Sequence, residues 1–234
     1  MFYWLLKHLL LGPIMRLACH PQLQGAEHIP RRGGAILASN HLAVADSFFL
    51  PLMIRRRVTF LAKREYFTTP GVRGWLTRRF FHAAGQVPID RSCASAAQDA
   101  LDTGVRLLAA GELVGIYPEG TRSPDGRLYK GKTGVAKMAL EAGVPVIPVA
   151  MVGTDKVSPR GTIIWRPHPV KICVGAPLDF SRYAGLAGDR FVERSIVDEI
   201  MYALLELSGQ EYVDRYAASV KGHEAPSRLA RKAS

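Results

Sequence analysis

Short apolar runs that alternate with helical patterns constrain the fold of this chain more than any other feature of its sequence. Each run is four to eight residues long and rich in Val, Ile or Leu, which is typical of a buried strand. Strands that alternate with helices predict an α/β fold, in which helices flank a mostly parallel central sheet. The runs cover residues 35–38, 58–61, 113–117, 144–151 and 170–174.

Three helices are predicted from capping residues and apolar spacing. The first begins at a Ser92 cap and runs to residue 110, the second covers 133–142 and the third 189–207, and a glycine ends each of them. No repeat or linker interrupts the 234 residues. We therefore expect a single domain over 21–216, followed by a basic, mobile tail over 217–234.

The chain carries a large excess of positive charge. It has 31 Lys and Arg against 20 Asp and Glu, which gives a net charge of +11. Such a surplus suits an anionic partner, either nucleic acid, anionic lipid or a phosphorylated small molecule, and a merely basic soluble surface is the alternative. The arginines at 55–57 and the basic and aromatic residues over 72–81 suit a membrane with anionic headgroups. No DNA- or RNA-binding pattern accompanies them, so we expect no nucleic-acid partner.

The first eighteen residues are strongly apolar and aromatic. They lack the basic start and the small-residue cleavage site of a secretory signal. A helix of this length reaches about 27 Å, which is short of the roughly 30 Å hydrocarbon core of a bilayer, and Lys7 and His8 would lie near its middle. We therefore expect residues 1–20 to form a helical segment in the membrane interface. A helix that packs on the domain's own core is the alternative.

A histidine follows the first predicted strand, in the sequence SNHLAVAD of residues 39–46. Open α/β folds bind their ligands at the carboxyl ends of strands. An imidazole there is able to take a proton from an attacking alcohol, and a carboxylate beside it fixes the tautomer and stabilises the imidazolium. Residues five apart on a straight helix point about 140° away from each other. His41 therefore pairs with Asp46 only if His41 precedes the helix and Asp46 lies in its first turn. An aspartate that merely caps the helix is the alternative.

A second polar segment follows the predicted strand at 113–117. Its sequence PEGTRS, residues 118–123, makes a rigid turn that presents a carboxylate, a hydroxyl and a guanidinium together. Arg122 offers forked donors that suit a phosphate, and Glu119 is expected to accept from a polyol hydroxyl or to hold Arg122 in place. A surface turn with a local ion pair is the alternative.

Two further cations follow predicted strands. Lys63 comes shortly after the run at 58–61, and Arg91 ends the sequence GQVPIDR of residues 85–91. Arg91 is a candidate for a second phosphate clamp. The alternatives for Arg91 are capping of the next helix and an ion pair with Asp90.

Together these segments resemble the glycerolipid acyltransferases, the family of the 1-acylglycerol-3-phosphate and glycerol-3-phosphate acyltransferases. Four blocks occur in the family's order over roughly residues 35–150, with tyrosine at 117 where phenylalanine is more usual. The NHxxxxD block is matched by Asn40, His41 and Asp46, the Ile-Asp-Arg block by 89–91, the aromatic-Pro-Glu-Gly-Thr-Arg-Ser block by 117–123 and the Val-Pro-Ile-Pro block by 144–149.

The resemblance implies roles for these residues. His41 is the general base on the acceptor hydroxyl, and Asp46 orients it. The hydroxyl attacks the thioester of acyl-CoA or acyl-carrier protein directly, with no cofactor and no metal. From charge and position alone, Lys130 and Lys132 are expected to contact phosphates of the acceptor or of CoA. The residues that resemble the family's glycerophosphate-binding positions are Arg91, Glu119, Gly120, Thr121, Arg122 and Lys63.

The implied reaction is transfer of a fatty acyl group to 1-acylglycerol-3-phosphate, which forms phosphatidic acid. The alternatives are transfer to glycerol-3-phosphate or to another lysophospholipid, and a non-catalytic membrane-binding protein. A hydrolase is disfavoured because the chain has no GxSxG sequence. Because such substrates lie in or near the bilayer, we expect a peripheral or monotopic protein on the cytoplasmic face of the cell membrane, in contact with anionic lipid. Three widely separated cysteines also fit a reduced compartment.

Overall fold

The computed structural model describes residues 6–63, 65–72, 74–75, 78–79, 86–89, 96–162 and 164–220. Its strands are β1 (Gln22–Gln24), β2 (Ala35–Ser39), β3 (Val58–Lys63), β4 (Gln86–Ile89), β5 (Leu113–Ile116), β6 (Leu128–Tyr129), β7 (Val146–Val152), β8 (Lys171–Val174) and β9 (Tyr212–Val213). A seven-stranded sheet has the order β1-β8-β7-β2-β5-β3-β4, and a small second sheet pairs β6 with β9.

Five adjacent strands of the large sheet, β7, β2, β5, β3 and β4, are parallel. β8 runs antiparallel to β7, and β1 pairs with β8 at the edge. The carboxyl ends of parallel strands meet at one edge of a sheet, so the loops after β2, β5 and β7 emerge side by side. Because β2 lies between β5 and β7, the loop after β2 has a neighbour on each side.

Helices cover both faces of the sheet, which confirms the predicted α/β class with its mostly parallel sheet. Neighbouring residues of β2 point to opposite faces, and Leu37 and Ile36 belong to different core clusters. The first cluster contains residues of α1 and α2, and the second contains residues of α4, α5 and α7. The helices are α1 (Leu11–Cys19), α2 (Asp46–Met53), α3 (Glu65–Thr68), α4 (Ala96–Ala109), α5 (Gly134–Ala142), α6 (Thr154–Val157) and α7 (Arg190–Ser208).

The three predicted helices agree with α4, α5 and α7 to within a residue or two where they can be compared. The predicted Ser92 cap lies outside the described residues. Asp189 caps α7, because its side chain accepts from the amides of Phe191 and Val192. Gly209 follows the helix in the left-handed conformation, with φ of 65°. Phe191, the second residue of this helix, is 87% exposed although it is apolar.

The amino-terminal segment is helical and packs on the domain. A π-helical turn, Leu6–Leu10, leads into α1, and Met15 and Cys19 of α1 are buried in the first core cluster. This contact matches the alternative stated above. The opposite side of the segment remains apolar and exposed, so a membrane role for residues 1–20 stays a prediction. The described part of the chain contains no helix that is long and apolar enough to cross a membrane.

Lys7 ties this segment to the end of α2. Its buried ammonium donates to the backbone carbonyls of Pro51 (2.7 Å) and Ile54, where the carbonyl ends of a helix favour a positive charge. Burial, and secondarily the charge of Arg16, lowers the pKa of Lys7 to about 8 from its ordinary 10.5.

The lowered pKa of Lys7 predicts a stability that depends on pH. The folded chain binds this proton less tightly than the unfolded chain, so the contribution of Lys7 to stability increases as the pH rises from about 8 to 10.5. We expect the free energy of unfolding of the wild type, minus that of Lys7→Gln, to grow over this interval. Urea unfolding of both proteins at several pH values measures it. A difference that is constant with pH contradicts the prediction.

Arg56 and Ala217 differ from the roles predicted for them, which were contact with lipid and membership of a mobile tail. The Arg56 guanidinium donates to the carbonyls of Pro30, Gly33 and Gly111, so this arginine joins loops at the amino edge of the sheet and is not a free cation for lipid. Ala217, the first residue of the predicted mobile tail, is fully buried. It therefore packs with the domain, and residues 221–234 lie outside the described part.

Candidate active site

His41 and Asp46 form a hydrogen-bonded pair at the carboxyl end of β2. His41 lies in the loop after the strand, and Asp46 is the first residue of α2. The His41 Nδ1 is 2.9 Å from Asp46 Oδ2. Because an ionised carboxylate only accepts, Nδ1 is the donor and Nε2 keeps its lone pair. The geometric condition derived from the five-residue spacing is met.

Asp46 also closes the loop that carries His41. Its Oδ2 accepts from the amides of Leu42 (2.7 Å) and Ala43 (2.9 Å) as well as from the imidazole. The carboxylate is fully buried, and Oδ1 has no hydrogen-bond partner among the described residues. Capping of the turn and orientation of the histidine are thus performed by the same oxygen.

The imidazole of His41 stacks on the ring of Tyr117, the first residue after β5. Their centroids are 3.8 Å apart and the rings are 9° from parallel. The Tyr117 hydroxyl lies 2.9 Å from the Ser47 hydroxyl of α2. Burial raises the pKa of Tyr117 well above 10, and the charge of Asp46 raises it further, so this ring is a neutral wall that limits how His41 can rotate.

Glu119 holds the backbone of the site instead of facing a ligand. Its Oε1 accepts from the amide of His41 (2.9 Å) and its Oε2 from the amide of Tyr129 (3.0 Å). The residue is only 1% exposed. This geometry differs from the expectation that Glu119 accepts from a polyol hydroxyl. A buried carboxylate with two amide donors is instead a rigid link between the loops after β2 and β5.

The turn after β5 is bonded to the histidine itself. The amide of Ser123 donates to the carbonyl of His41 at 2.7 Å. Gly120 has φ of +71°, and a Cβ placed there would lie 3.0 Å from Cε and 3.2 Å from Nζ of Lys132. Only glycine fits this position without strain, and the Lys132 side chain therefore lies directly against the turn. Thr121 and Arg122 are half-buried next to it.

The predicted cations occupy different environments. Within the described residues, the Arg122 guanidinium makes no ion pair or hydrogen bond, so its donors are free for a ligand. The Lys130 ammonium is instead paired with Asp214 at 2.8 Å, which does not favour the predicted phosphate contact. Lys63 ends β3 at the edge of the sheet that carries the site, but its side chain lies outside the described part. Arg91 lies outside it entirely.

Sequence reasoning missed the role of Gln210, which follows α7. Asn40 uses its side chain to extend the β2–β7 ladder, since its Oδ1 accepts from the Met151 amide and its Nδ2 donates to the Met151 carbonyl. Nδ2 also donates to Gln210 Oε1 at 2.6 Å, and Gln210 Nε2 donates to the Gly126 carbonyl at 2.5 Å. One amide therefore clamps the loops after β2 and β5 together.

Replacing Gln210 with alanine is expected to loosen this clamp. Two hydrogen bonds are lost and Asn40 is left with a buried donor, so we expect unfolding to be easier by about 1–3 kcal/mol and kcat/KM to fall by about tenfold. Thermal unfolding and steady-state kinetics measure the two effects. The neighbouring Glu211→Ala is the control, because among the described residues the Glu211 side chain contacts Arg127 alone, in an exposed ion pair. Equal effects of both substitutions would contradict the assigned role.

A metal centre is not suggested by the described residues, in which no three His, Cys, Asp or Glu side chains are close enough to hold an ion.

A family model described as Acyltransferase matches residues 20–152, which include β2, β5, β7 and the polar loops after β2 and β5. The chain belongs to the acyltransferase family. The matched region ends with the last residue of β7.

Two relatives and one solved structure illustrate the similarity. The 1-acyl-sn-glycerol-3-phosphate acyltransferase of Limnanthes alba is 33% identical over 174 residues, which are 74% of this chain and 59% of that protein. The Bacillus subtilis protein of the same name is 27% identical over 175 residues, covering 74% of this chain and 81% of its own. The crystal structure of the 1-acyl-sn-glycerophosphate acyltransferase PlsC from Thermotoga maritima matches with a TM-score of 0.62 and 24% identity, covering 87% of this chain and 82% of that one.

The chain matches only part of the length of the two Limnanthes proteins. The chain spans 59% of the Limnanthes alba protein and 54% of the one from Limnanthes douglasii. The chain and PlsC have the same fold.

Proposed function

We propose that this acyltransferase moves a fatty acyl group from an acyl thioester to the hydroxyl of 1-acylglycerol-3-phosphate and so forms phosphatidic acid. One observation carries the proposal. The Nδ1 of His41 is held by Asp46, which leaves Nε2 as a base, and the same His41 is bonded through its carbonyl to the turn that presents the free guanidinium of Arg122. A base and a phosphate-binding cation on adjacent loops suit an alcohol that bears a phosphate.

The chemistry needs no acyl-enzyme. The Nε2 of His41 removes the proton as the hydroxyl oxygen attacks the thioester carbonyl, and Asp46 stabilises the imidazolium that forms. The tetrahedral intermediate collapses, the carbon–sulfur bond breaks and the thiolate takes the proton back from the imidazolium. The ester product carries the acyl group, the base is regenerated, and neither a metal nor a cofactor other than the acyl donor enters the balance.

The acceptor phosphate is assigned to Arg122, with the backbone of Gly120 and Thr121 beside it. Lys132 adds a second positive charge, because its ammonium lies against Gly120. Lys63 and Arg91 remain in the proposal as further phosphate contacts. Glu119 is assigned a positioning role through the His41 amide, and Lys130 is left out because it is paired with Asp214.

Other acceptors are alternatives within the same chemistry. Glycerol-3-phosphate presents the same phosphate without the acyl chain, and other lysophospholipids present it within a larger headgroup. The names of the relatives favour 1-acylglycerol-3-phosphate. A non-catalytic membrane-binding protein is disfavoured because both members of the His41–Asp46 pair are present.

A panel of acceptors tests the proposal. Purified protein is incubated with radiolabelled acyl-CoA or acyl-carrier protein and with glycerol-3-phosphate, 1-acylglycerol-3-phosphate or neutral lysophospholipids, and the labelled lipid is identified. We expect 1-acylglycerol-3-phosphate to give the highest kcat/KM and Arg122→Gln to raise the KM for this acceptor. Preferential turnover of an acceptor without a phosphomonoester would contradict the assignment of Arg122.

We also propose that the protein works on the cytoplasmic face of a membrane that contains anionic lipid. Support comes from the exposed side of the amino-terminal helix, where Leu9, Ile14 and Leu17 are 73%, 62% and 79% exposed. Apolar side chains exposed in a row on a helix suit an interfacial position. Deleting the segment would also remove Met15 and Lys7 from the fold, so point substitutions give the cleaner experiment.

Substitution of the exposed apolar residues is expected to weaken membrane binding. We expect Ile14→Gln with Leu17→Gln to lower the affinity for anionic liposomes by about tenfold, and sedimentation with vesicles measures this. Phe191→Gln is the matched control, because Phe191 is similarly exposed but lies on α7, which covers the opposite face of the sheet from α1. Unchanged sedimentation of the double variant would contradict the proposed surface.

A further inference from the structure

A second polar feature lies beside the catalytic loop and has no role in the reaction as described so far. It is a cavity of about 320 Å³ between the loop after β7, the start of β8 and the loop after β2. Its polar walls carry the cations of Lys156 and Lys171 and the imidazoles of His20 and His168, against the one carboxylate of Asp155. Such a wall favours an anion.

One wall of the cavity belongs to the framework of the candidate active site. Leu42, which directly follows the catalytic histidine, lines it together with Met151 and Gln210. Met151 and Gln210 are the residues that bind the Asn40 side chain at the end of β2. A ligand in this cavity therefore lies next to the backbone that carries His41.

The order of the strands sets this cavity apart from the acceptor site. β2 lies between β5 and β7. The turn with Arg122 follows β5, whereas Gly153 and Lys156, which line the cavity, follow β7. The positively charged side chains of the cavity therefore lie on the β7 side of the His41 loop, and Gly126 of the loop after β5 completes the wall. Direct acyl transfer requires both substrates to be bound near the base at the same time, so the donor needs contacts other than those that hold the acceptor.

We propose that the cavity binds the phosphate-bearing nucleotide end of a coenzyme A thioester, the acyl donor. This inference rests on the proposed function. The phosphates of such a donor lie at the far end of a long flexible arm, so they can be held apart from the reacting thioester. The volume is at the lower end of the range for small-ligand sites, and paired lysines with imidazoles are suitable partners for phosphate oxygens.

Direct binding measurements test the cavity without turnover. CoA binding is measured by calorimetry in the His41→Ala background, with and without Lys156→Gln plus Lys171→Gln. We expect the double substitution to weaken binding of CoA and of adenosine 3′,5′-bisphosphate by about tenfold or more, and to leave binding of pantetheine, which has no phosphate, unchanged. Arg31→Gln plus Arg32→Gln is the matched control, because it removes two exposed cations just before β2, at the opposite edge of the sheet.

Three outcomes would overturn the inference. The first is an equal loss of CoA affinity in both double variants, which indicates a general effect of net charge. The second is a loss of glycerol-3-phosphate or inorganic phosphate binding, measured by the same calorimetry, without a loss of CoA binding, which would assign the cavity to the acceptor or to free phosphate. The third is unchanged CoA binding. Failure of the proposed function is distinct, since it would appear as absent acyl transfer to 1-acylglycerol-3-phosphate by the wild type while the difference in CoA binding persists.

Discussion

Replacing His41 with alanine is expected to lower kcat for acyl transfer by about 10² to 10⁴-fold. The substitution removes the base whose Nε2 is left free by the bond to Asp46. The backbone links of this residue to Glu119 and Ser123 survive, because they use its amide and carbonyl. The variant loses only the stacking on Tyr117 and one donor to Asp46, so we expect it to fold and to lose no more than about 1–2 kcal/mol of stability.

A second histidine provides the control for this substitution. His28 lies near the amino edge of the sheet, where its Nδ1 is 3.1 Å from the carbonyl of Val174. We expect His28→Ala to cost some stability but to keep kcat within about twofold of the wild type. Steady-state assays and thermal unfolding of both variants separate a lost base from a weakened fold. Retained turnover in folded His41→Ala protein would refute the mechanism.

The local part of this site followed from sequence because it depends on residues close together in the chain. The five-residue spacing and helical geometry require His41 to precede the helix that Asp46 begins, and the structure has that arrangement. The turn at 118–123 was also predicted from local sequence, since proline and glycine favour turns, and Gly120 within it has a positive φ. The strands that position both loops were predicted because both of their faces are covered, which makes them continuous apolar runs.

The long-range part did not follow from sequence. Glu119 reads as a ligand-binding carboxylate, because nothing near it in the chain indicates that the amides of His41 and Tyr129 occupy both of its oxygens. Gln210 lies 170 residues from Asn40 in the chain and carries no motif. In the sequence Lys7 is merely a charge that disfavours a membrane span, whereas in the structure it binds the carbonyls at the end of α2. Such pairings depend on tertiary packing, which a single sequence does not specify.

Replacing Asp46 with asparagine is expected to reduce kcat by about 10³-fold while keeping the loop closed. An asparagine that places its carbonyl oxygen where Oδ2 lies still accepts from His41, Leu42 and Ala43. Its amide nitrogen then occupies the position of Oδ1, which has no hydrogen-bond partner among the described residues. The substitution therefore removes the negative charge of residue 46 while it keeps the size of the side chain and its hydrogen bonds to the loop. The imidazolium loses its counter-ion in a buried site, where charge interactions are strong.

A double variant tests whether Asp46 acts through His41. If orientation and charge of the imidazole are its only catalytic effects, then Asp46→Asn adds no more than about twofold to the loss caused by His41→Ala, because residues that act as one unit are not additive. A further large loss in the double variant would show that Asp46 supports catalysis independently, through the loop amides that it binds. Thermal unfolding of all three variants supplies the necessary check. The comparison is valid only if all three variants remain folded at the temperature of the assay.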